Sequence, residues 1–315
     1  MFNSTLCASV MSHVSKCKSE YMKSSVIDQI SVVHCLGLGL LENQLNEKDL
    51  VSTFLWYSYV LNWMLLGIRC MTDRVWDRFL TEQDKILADK MPPRQLGFGQ
   101  NPALLLVDIY RWVFGDKPEP LMESTQSWPA SCGLAGWNAL PHLQKLLSTA
   151  REAQIPIIHA TGLYTEESGV ESWAVRGTKK RTKISSDSGD RLSRRYEIVD
   201  EVKPIPGEAI LRKSAPSAFW GTPIISHLNA LGVDTIIVGG ESTSGCVRAT
   251  VVDGRTNSYR MIVVEECVFD RTEASHAMNL FDLNQKYADV IPLAEVIQYL
   301  QEWQKERLAS GKASV

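Results

Sequence analysis

The run Thr235-Ile236-Ile237-Val238, then Gly239-Gly240-Glu241-Ser242-Thr243-Ser244-Gly245-Cys246, then Val247-Arg248-Ala249-Thr250-Val251-Val252-Asp253, decides how this chain folds. Four β-branched residues followed at once by a loop of Gly, Ser and Thr read as a short buried strand, and the small residues beyond it as a helix. A second apolar run, Met261-Ile262-Val263-Val264, follows that helix. This is how an α/β fold presents a reactive group, because ligands collect outside the carboxyl ends of parallel strands. Cys246 sits where the loop becomes a helix. There, unpaired N–H groups and the positive end of the helix dipole favour a thiolate and hold an oxyanion, so the stretch predicts a cysteine nucleophile.

The same alternation of strand and helix extends on both sides. Ala103-Leu104-Leu105-Leu106-Val107 is a continuous apolar run closed by Asp108, which reads as a central parallel strand with a carboxylate at its C-terminal tip. Leu140, Leu143, Leu146, Leu147 and Ala150 place a helix over 136–154, and Ile155 to His159 form the next strand, which implies a right-handed crossover. Ile210-Leu211-Arg212-Lys213 reads as a strand ending in a lysine, and Pro223 to Leu231 as a helix with Pro in its first turn and Gly232 at its end. Helical patterns at 273–287 and 294–307 close the chain. Val75, Phe79, Leu80, Ile86 and Leu87 suggest a further helix from Thr72 to Met91, stopped by Pro92-Pro93. The expected architecture is a three-layer α/β/α domain around a mostly parallel sheet of about six strands.

Between Thr165 and Lys203 the chain turns strongly polar, with Arg176, Arg181 and six other basic residues among Asp and Glu. It reads as a long solvated loop, or alternatively as a lid that delivers an arginine to the site.

Composition is that of an ordinary globular protein: 315 residues, 44% hydrophobic, 22% charged, with a net charge of −3. No basic field points to a nucleic-acid partner. The seven cysteines lack paired C-x-x-C spacing, which suggests neither a disulfide framework nor a zinc ribbon and favours a reducing, cytoplasmic setting. Residues 50–68 carry no charge between Asp49 and Arg69, a length that can cross a bilayer, although Ser52, Thr53, Ser58 and Asn62 dilute it. An extension or an apolar helix packed on the main domain is the favoured reading, with Met71 a candidate start, over membrane contact through 50–68. Gly37-Leu38-Gly39 lacks the third glycine and the preceding strand of a dinucleotide fingerprint, and no cofactor is expected.

Asp108, Lys213 and Cys246 each fall at or just after a strand end, and in a doubly wound sheet such ends converge on one crevice. A thiolate beside Lys⁺ at a helix N-terminus has its pKa lowered, and a carboxylate within reach can accept the thiol proton and later activate water. Backbone N–H groups of the 242–246 loop would stabilise a tetrahedral oxyanion.

These residues carry a resemblance. Leu-Leu-Val-Asp ending at Asp108, Arg212-Lys213, Ser-Ala-Phe-Trp-Gly-Thr at 217–222, Ser-Thr-Ser-Gly-Cys-Val-Arg-Ala-Thr at 242–250 and Glu-Cys-Val-Phe-Asp-Arg at 266–271 resemble the isochorismatase-like cysteine hydrolases. Within them the chain looks most like the N-carbamoylsarcosine and maleamate amidohydrolase group. The likeness covers roughly 95–300 of this sequence. It implies hydrolysis of a linear amide or carbamoyl C–N bond in a small, carboxylate-bearing substrate through a thioester, with release of ammonia. Cys246 would be the nucleophile, Asp108 the general base and acid, and Lys213 the orienting cation. The Glu241–Ser242 peptide would be cis, aiming the Ser242 and Cys246 N–H groups at the oxyanion. Arg271 would bind the substrate carboxylate, with a second arginine, Arg176 or Arg181, supplied by the polar insertion. It also implies a homo-oligomer, dimer or tetramer. The chain then divides into an extension, 1–70, a helical lead-in, 71–94, and the hydrolase domain, 95–315.

Departures from neighbouring branches sharpen the expectation. The nicotinamidase branch holds a metal on an Asp and two His in Asp-x-His spacing. None of His13, His34, His142, His159, His227 and His276 is so spaced, and no metal is expected. The isochorismatase branch proper does not rely on the cysteine.

Each residue also has a plainer reading. Cys246 alone would be a small core hydrophobe, Asp108 a helix cap, Lys213 a surface lysine and Arg248 a packing or salt-bridge residue. Trp220 and Phe219 wall a substrate pocket or fill core, Cys132 and Cys267 are structural, and His159 only borders the cleft. A non-catalytic binding protein that keeps the fold is the competing class.

Overall fold

The computed structural model describes residues 74–164 and 189–310. Residues 50–68, Arg176 and Arg181 lie outside them, as do the four cysteines and two histidines that precede Met71. Val75–Val315 makes up one compact unit.

The elements run α1 (Glu82–Lys90), β1 (Pro102–Val107), α2 (Arg111–Phe114), α3 (Leu121–Ser127), α4 (Leu134–Ala153), β2 (Ile157–Gly162), α5 (Gly189–Arg194) and β3 (Ala209–Lys213). They continue with α6 (Ile224–Ala230), β4 (Thr235–Glu241), α7 (Arg248–Thr256), β5 (Arg260–Phe269), α8 (Glu273–Lys286), β6 (Asp289–Ile291) and α9 (Leu293–Ala309). The six strands form one sheet in the order β3-β2-β1-β4-β5-β6, and every pairing is parallel.

The period of two along the strands separates two cores. Leu104, Leu106, Ile237, Ile262 and Val264 pack one face against Leu143, Leu146 and Leu147 of α4 and Val296 and Leu300 of α9. Ala103, Leu105, Val107, Ile236, Val238, Met261 and Val263 pack the other against Leu228 of α6, Val251 of α7 and Leu280 and Leu283 of α8. Both faces are covered, which is why β1, β2 and β4 read as unbroken buried runs rather than as alternating ones.

Three elements differ from their sequence reading. The helix expected from Thr72 to Met91 is a 3-10 turn, Asp77–Phe79, followed by α1. Thr81 interrupts it because its hydroxyl and backbone N–H form a capping box with Asp84. Trp76 is buried against Phe281, whereas Ile86 and Leu87 are exposed. The strand read as 261–264 continues to Phe269. A bulge between the Val238–Val263 and Gly240–Val268 pairs absorbs Glu265 and Glu266, and the chain then re-enters the sheet with Val268 and Phe269 buried. β6, only three residues long, has too short a pattern to be read from sequence.

The chain builds β1, β2 and β3 outward on one side, then crosses to place β4 on the other side of β1. The point where strand order reverses therefore lies between the C-terminal ends of β1 and β4. Gly240 is required there: its φ is 123°, and a Cβ would overlap the Val107 carbonyl oxygen on β1. Among the described residues no helix is long and apolar enough to cross a membrane.

Candidate active site

Asp108 follows β1 directly. Its φ is 56°, a left-handed conformation that Asp tolerates better than most residues, and its backbone N–H donates to the Ala160 carbonyl at 2.9 Å. The turn directs a fully buried carboxylate across the ends of the strands.

Lys213, the last residue of β3, meets it from two strands away. With strands about 4.8 Å apart, only a side chain of lysine's length spans β2 to reach it. Its Nζ donates to Asp108 Oδ2 at 2.7 Å and to the Ala215 carbonyl at 3.2 Å. Beneath this bridge, β2 ends in Gly162, where a Cβ would overlap the Tyr196 ring. The second carboxylate oxygen, Asp108 Oδ1, is buried and has no hydrogen-bond partner in the protein.

Cys246 lies in a π-turn, Thr243–Val247, that leads into α7. The Gly245 and Val247 N–H groups both donate to the Ser242 carbonyl, at 2.9 and 3.1 Å. The Glu241–Ser242 peptide bond that opens the turn is cis. Asp270 holds the turn from β5: one of its oxygens accepts the Ser244 N–H at 2.8 Å and the Ser244 hydroxyl at 2.7 Å. Thr243 hydrogen-bonds His276 Nδ1 at 2.8 Å.

The electrostatics correct one expectation. Burial raises the Cys246 thiol well above its ordinary value, and the Asp108 charge raises it further, against the opposing pull of Lys213. Lys213 interacts with Cys246 as well as with Asp108. Burial likewise raises the Asp108 carboxyl, opposed by Lys213 and Cys246. For Lys213, burial opposes the charge, but Asp108 and Cys246 outweigh it and the ammonium is favoured.

Of the other sequence candidates, Arg271 lies close by. Its side chain is 38% exposed, pairs with Glu241 Oε1 at 3.5 Å and donates to the Ala130 carbonyl. It lines a cleft with Cys132, His142, Asp270 and His276, among others, and none of Asp108, Lys213 and Cys246 lines that cleft. Trp220 is 70% exposed, whereas Phe219 is buried near Tyr259. Arg248 donates to Asn279 and pairs with Asp282, tying α7 to α8. His159 is buried within β2 and bonded to Glu208 at 2.8 Å, away from the strand tips. Among the described residues, no group of three or more His, Cys, Asp and Glu is arranged to hold a metal ion.

Glu241 was not singled out by the sequence. It is buried, with Cys132 Sγ and Arg271 on its carboxyl. Its only sequence signal is a charged residue inside a loop of Gly, Ser and Thr.

Residues 102–295, more than half of the chain, match the model of the isochorismatase domain. The chain belongs to the isochorismatase family. A maleamate amidohydrolase of Pseudomonas putida is 32% identical over 212 residues, covering 66% of this chain and 91% of that protein. An N-carbamoylsarcosine amidase of an Arthrobacter species is 30% identical over 213 residues, covering 66% and 74%. Among solved structures, a cysteine hydrolase from Pseudomonas syringae pv. phaseolicola superposes with a TM-score of 0.54 at 20% identity, over 67% of this chain and 97% of its own. An isochorismatase family protein from Desulfovibrio vulgaris gives 0.52 at 23% identity, over 64% and 100%. The two structures share the parallel α/β fold, and the chain is an isochorismatase-family hydrolase.

Proposed function

We propose that this hydrolase is a cysteine amidohydrolase that cleaves a linear amide or carbamoyl C–N bond in a small carboxylate-bearing substrate. The observation that carries the reading is the buried Lys213–Asp108 pair at 2.7 Å, with one Asp108 oxygen left without a partner and the Cys246 thiol interacting with the same carboxylate. A thiol with a raised pKa needs its proton removed as it attacks, and an adjacent buried carboxylate is suited to take it. In this reading Cys246 Sγ bonds to the substrate carbonyl carbon while its proton passes to Asp108. The carbonyl oxygen becomes an oxyanion facing the N–H groups of Ser242 and Cys246. Collapse breaks the C–N bond, Asp108 returns the proton to the departing nitrogen, and ammonia leaves a thioester. Water then attacks the thioester carbon, giving one proton to Asp108, and the C–S bond breaks as that proton returns to sulfur. Lys213 keeps its proton throughout and holds the carboxylate in register.

The activities named for the Pseudomonas and Arthrobacter relatives, on maleamate and N-carbamoylsarcosine, support this class of substrate. Arg271, half-exposed at the cleft, is the proposed carboxylate contact. The test is ammonia release from maleamate, N-carbamoylsarcosine and uncharged amides by the full-length protein and its Cys246→Ala variant, with a chelator present. Release that needs Cys246 and survives chelation is expected. Release that persists in the variant would overturn the thioester route.

A further inference from the structure

Glu241 is a buried titratable group to which the proposed reaction assigns no task. It ends β4, immediately before the cis bond, and is only 4% exposed. From there it faces charged or titratable groups on every neighbouring element. Asp108 lies at the end of β1 with Tyr110 just beyond it, Cys132 ahead of α4, Cys246 in the π-turn, and Asp270 and Arg271 after β5. A single oxygen, Oε1, takes both the Arg271 guanidinium at 3.5 Å and the Cys132 thiol at 3.6 Å. Asp270 does not compete for that guanidinium: one oxygen holds Ser244 and the other accepts the Arg271 backbone N–H at 2.8 Å. Among the described residues, Glu241 is therefore the carboxylate paired with Arg271, and its charge also acts on Asp108 and Cys246.

We propose that Glu241, in its ionised form, holds the anion position on Arg271 until a substrate carboxylate takes it, so that binding of the substrate anion to that form draws a proton onto Glu241. This rests on the reading of Arg271 as the carboxylate contact. Two carboxylates cannot both remain ionised around one half-buried guanidinium at little cost, and the more deeply buried one protonates. Burial pushes the Glu241 carboxyl up to about 8, and the Asp108 charge adds to this, while Arg271 pulls it down. Once Arg271 is claimed by the substrate, that pull is gone and proton uptake follows. Above this range an ionised Glu241 keeps Arg271 and repels the incoming anion. The residue is a positioning and specificity-determining group, one that lets Arg271 discriminate by charge near neutral pH.

The prediction is a split between KM and kcat. With maleamate, the KM of the full-length protein rises about tenfold from pH 7 to pH 9, as expected when only the neutral Glu241 form admits the anion. In Glu241→Gln the rise is less than twofold, and with maleamide, the uncharged diamide, neither protein shows it. A second measurement is independent of turnover and leaves Glu241 in place. Calorimetric titration of full-length Cys246→Ala with maleamate, in buffers of different ionisation enthalpy at pH 8.5, should show uptake of more than about half a proton per ligand bound. An equal KM rise in wild type and Glu241→Gln, binding without proton uptake, or no maleamate binding at any pH would each overturn the inference. Failure of the proposed reaction looks different: no Cys246-dependent ammonia, with the proton uptake still present.

Discussion

At the scale of the residue, the site depends on what surrounds each side chain. Burial first and Asp108 second raise the Cys246 thiol above its ordinary value, against the pull of Lys213. The same carboxylate that suppresses the thiolate is positioned to remove the proton in the reaction, so removing it should have opposite effects on two observables. Asp108→Asn should lower kcat by about 10²- to 10⁴-fold, the usual worth of a general base. It should also shift the iodoacetamide alkylation profile of Cys246 to lower pH, since the charge that raised the thiol pKa is gone while Lys213 remains. An alkylation profile that moves to higher pH in Asp108→Asn would show that Asp108 favours the thiolate instead of opposing it. The residue types were legible in the sequence: a carboxylate, a lysine and a cysteine, each at a strand end. The direction of the cysteine shift was not, because its largest cause is burial, followed by the Asp108 charge, and neither exists before the chain is folded.

At the scale of the element, β1 and β4 set the site between them, with Gly240 paired to Val107. A side chain at φ 123° would be strained and would run into the Val107 carbonyl. Gly240→Ala should therefore destabilise the protein by about 2 to 6 kcal/mol, combining backbone strain with overpacking. Urea unfolding read through the midpoint at unchanged m-value checks this, and a loss under about 1 kcal/mol would mean the two strands separate easily. Strands of five or more residues with unbroken apolar runs announced themselves, as did α4 and α9 through their periodicity. The bulge in β5 did not, because Glu265-Glu266 in isolation looks like the end of a strand. It becomes an interruption only when Cys267, Val268 and Phe269 find buried places in the sheet.

At the scale of the whole molecule, buried carboxyls with raised pKa values make the fold answer to pH. Folded Glu241, at about 8, keeps a proton that the unfolded chain has already released above the ordinary value of 4.5. Between those values the folded state binds more protons than the unfolded state, so Glu241's contribution to stability falls as pH rises through that window. Burial shifts Asp108 the same way, so wild type alone does not isolate the effect. The stability of Glu241→Gln relative to wild type should increase from pH 5 to pH 8 and level off above it, measured by urea midpoints across that range. A difference constant with pH would mean that Glu241 titrates normally. The sequence by itself determined the α/β class, the central strands and the three residues at their tips, because burial on both faces and helical periodicity are local patterns written in the order of residues. Only the tertiary structure decided that Lys213 crosses β2 to Asp108 and that Glu241 lies against Arg271. Those are distances between strands far apart in the chain, and they exist only once strand order, bulge and backbone angles have been set.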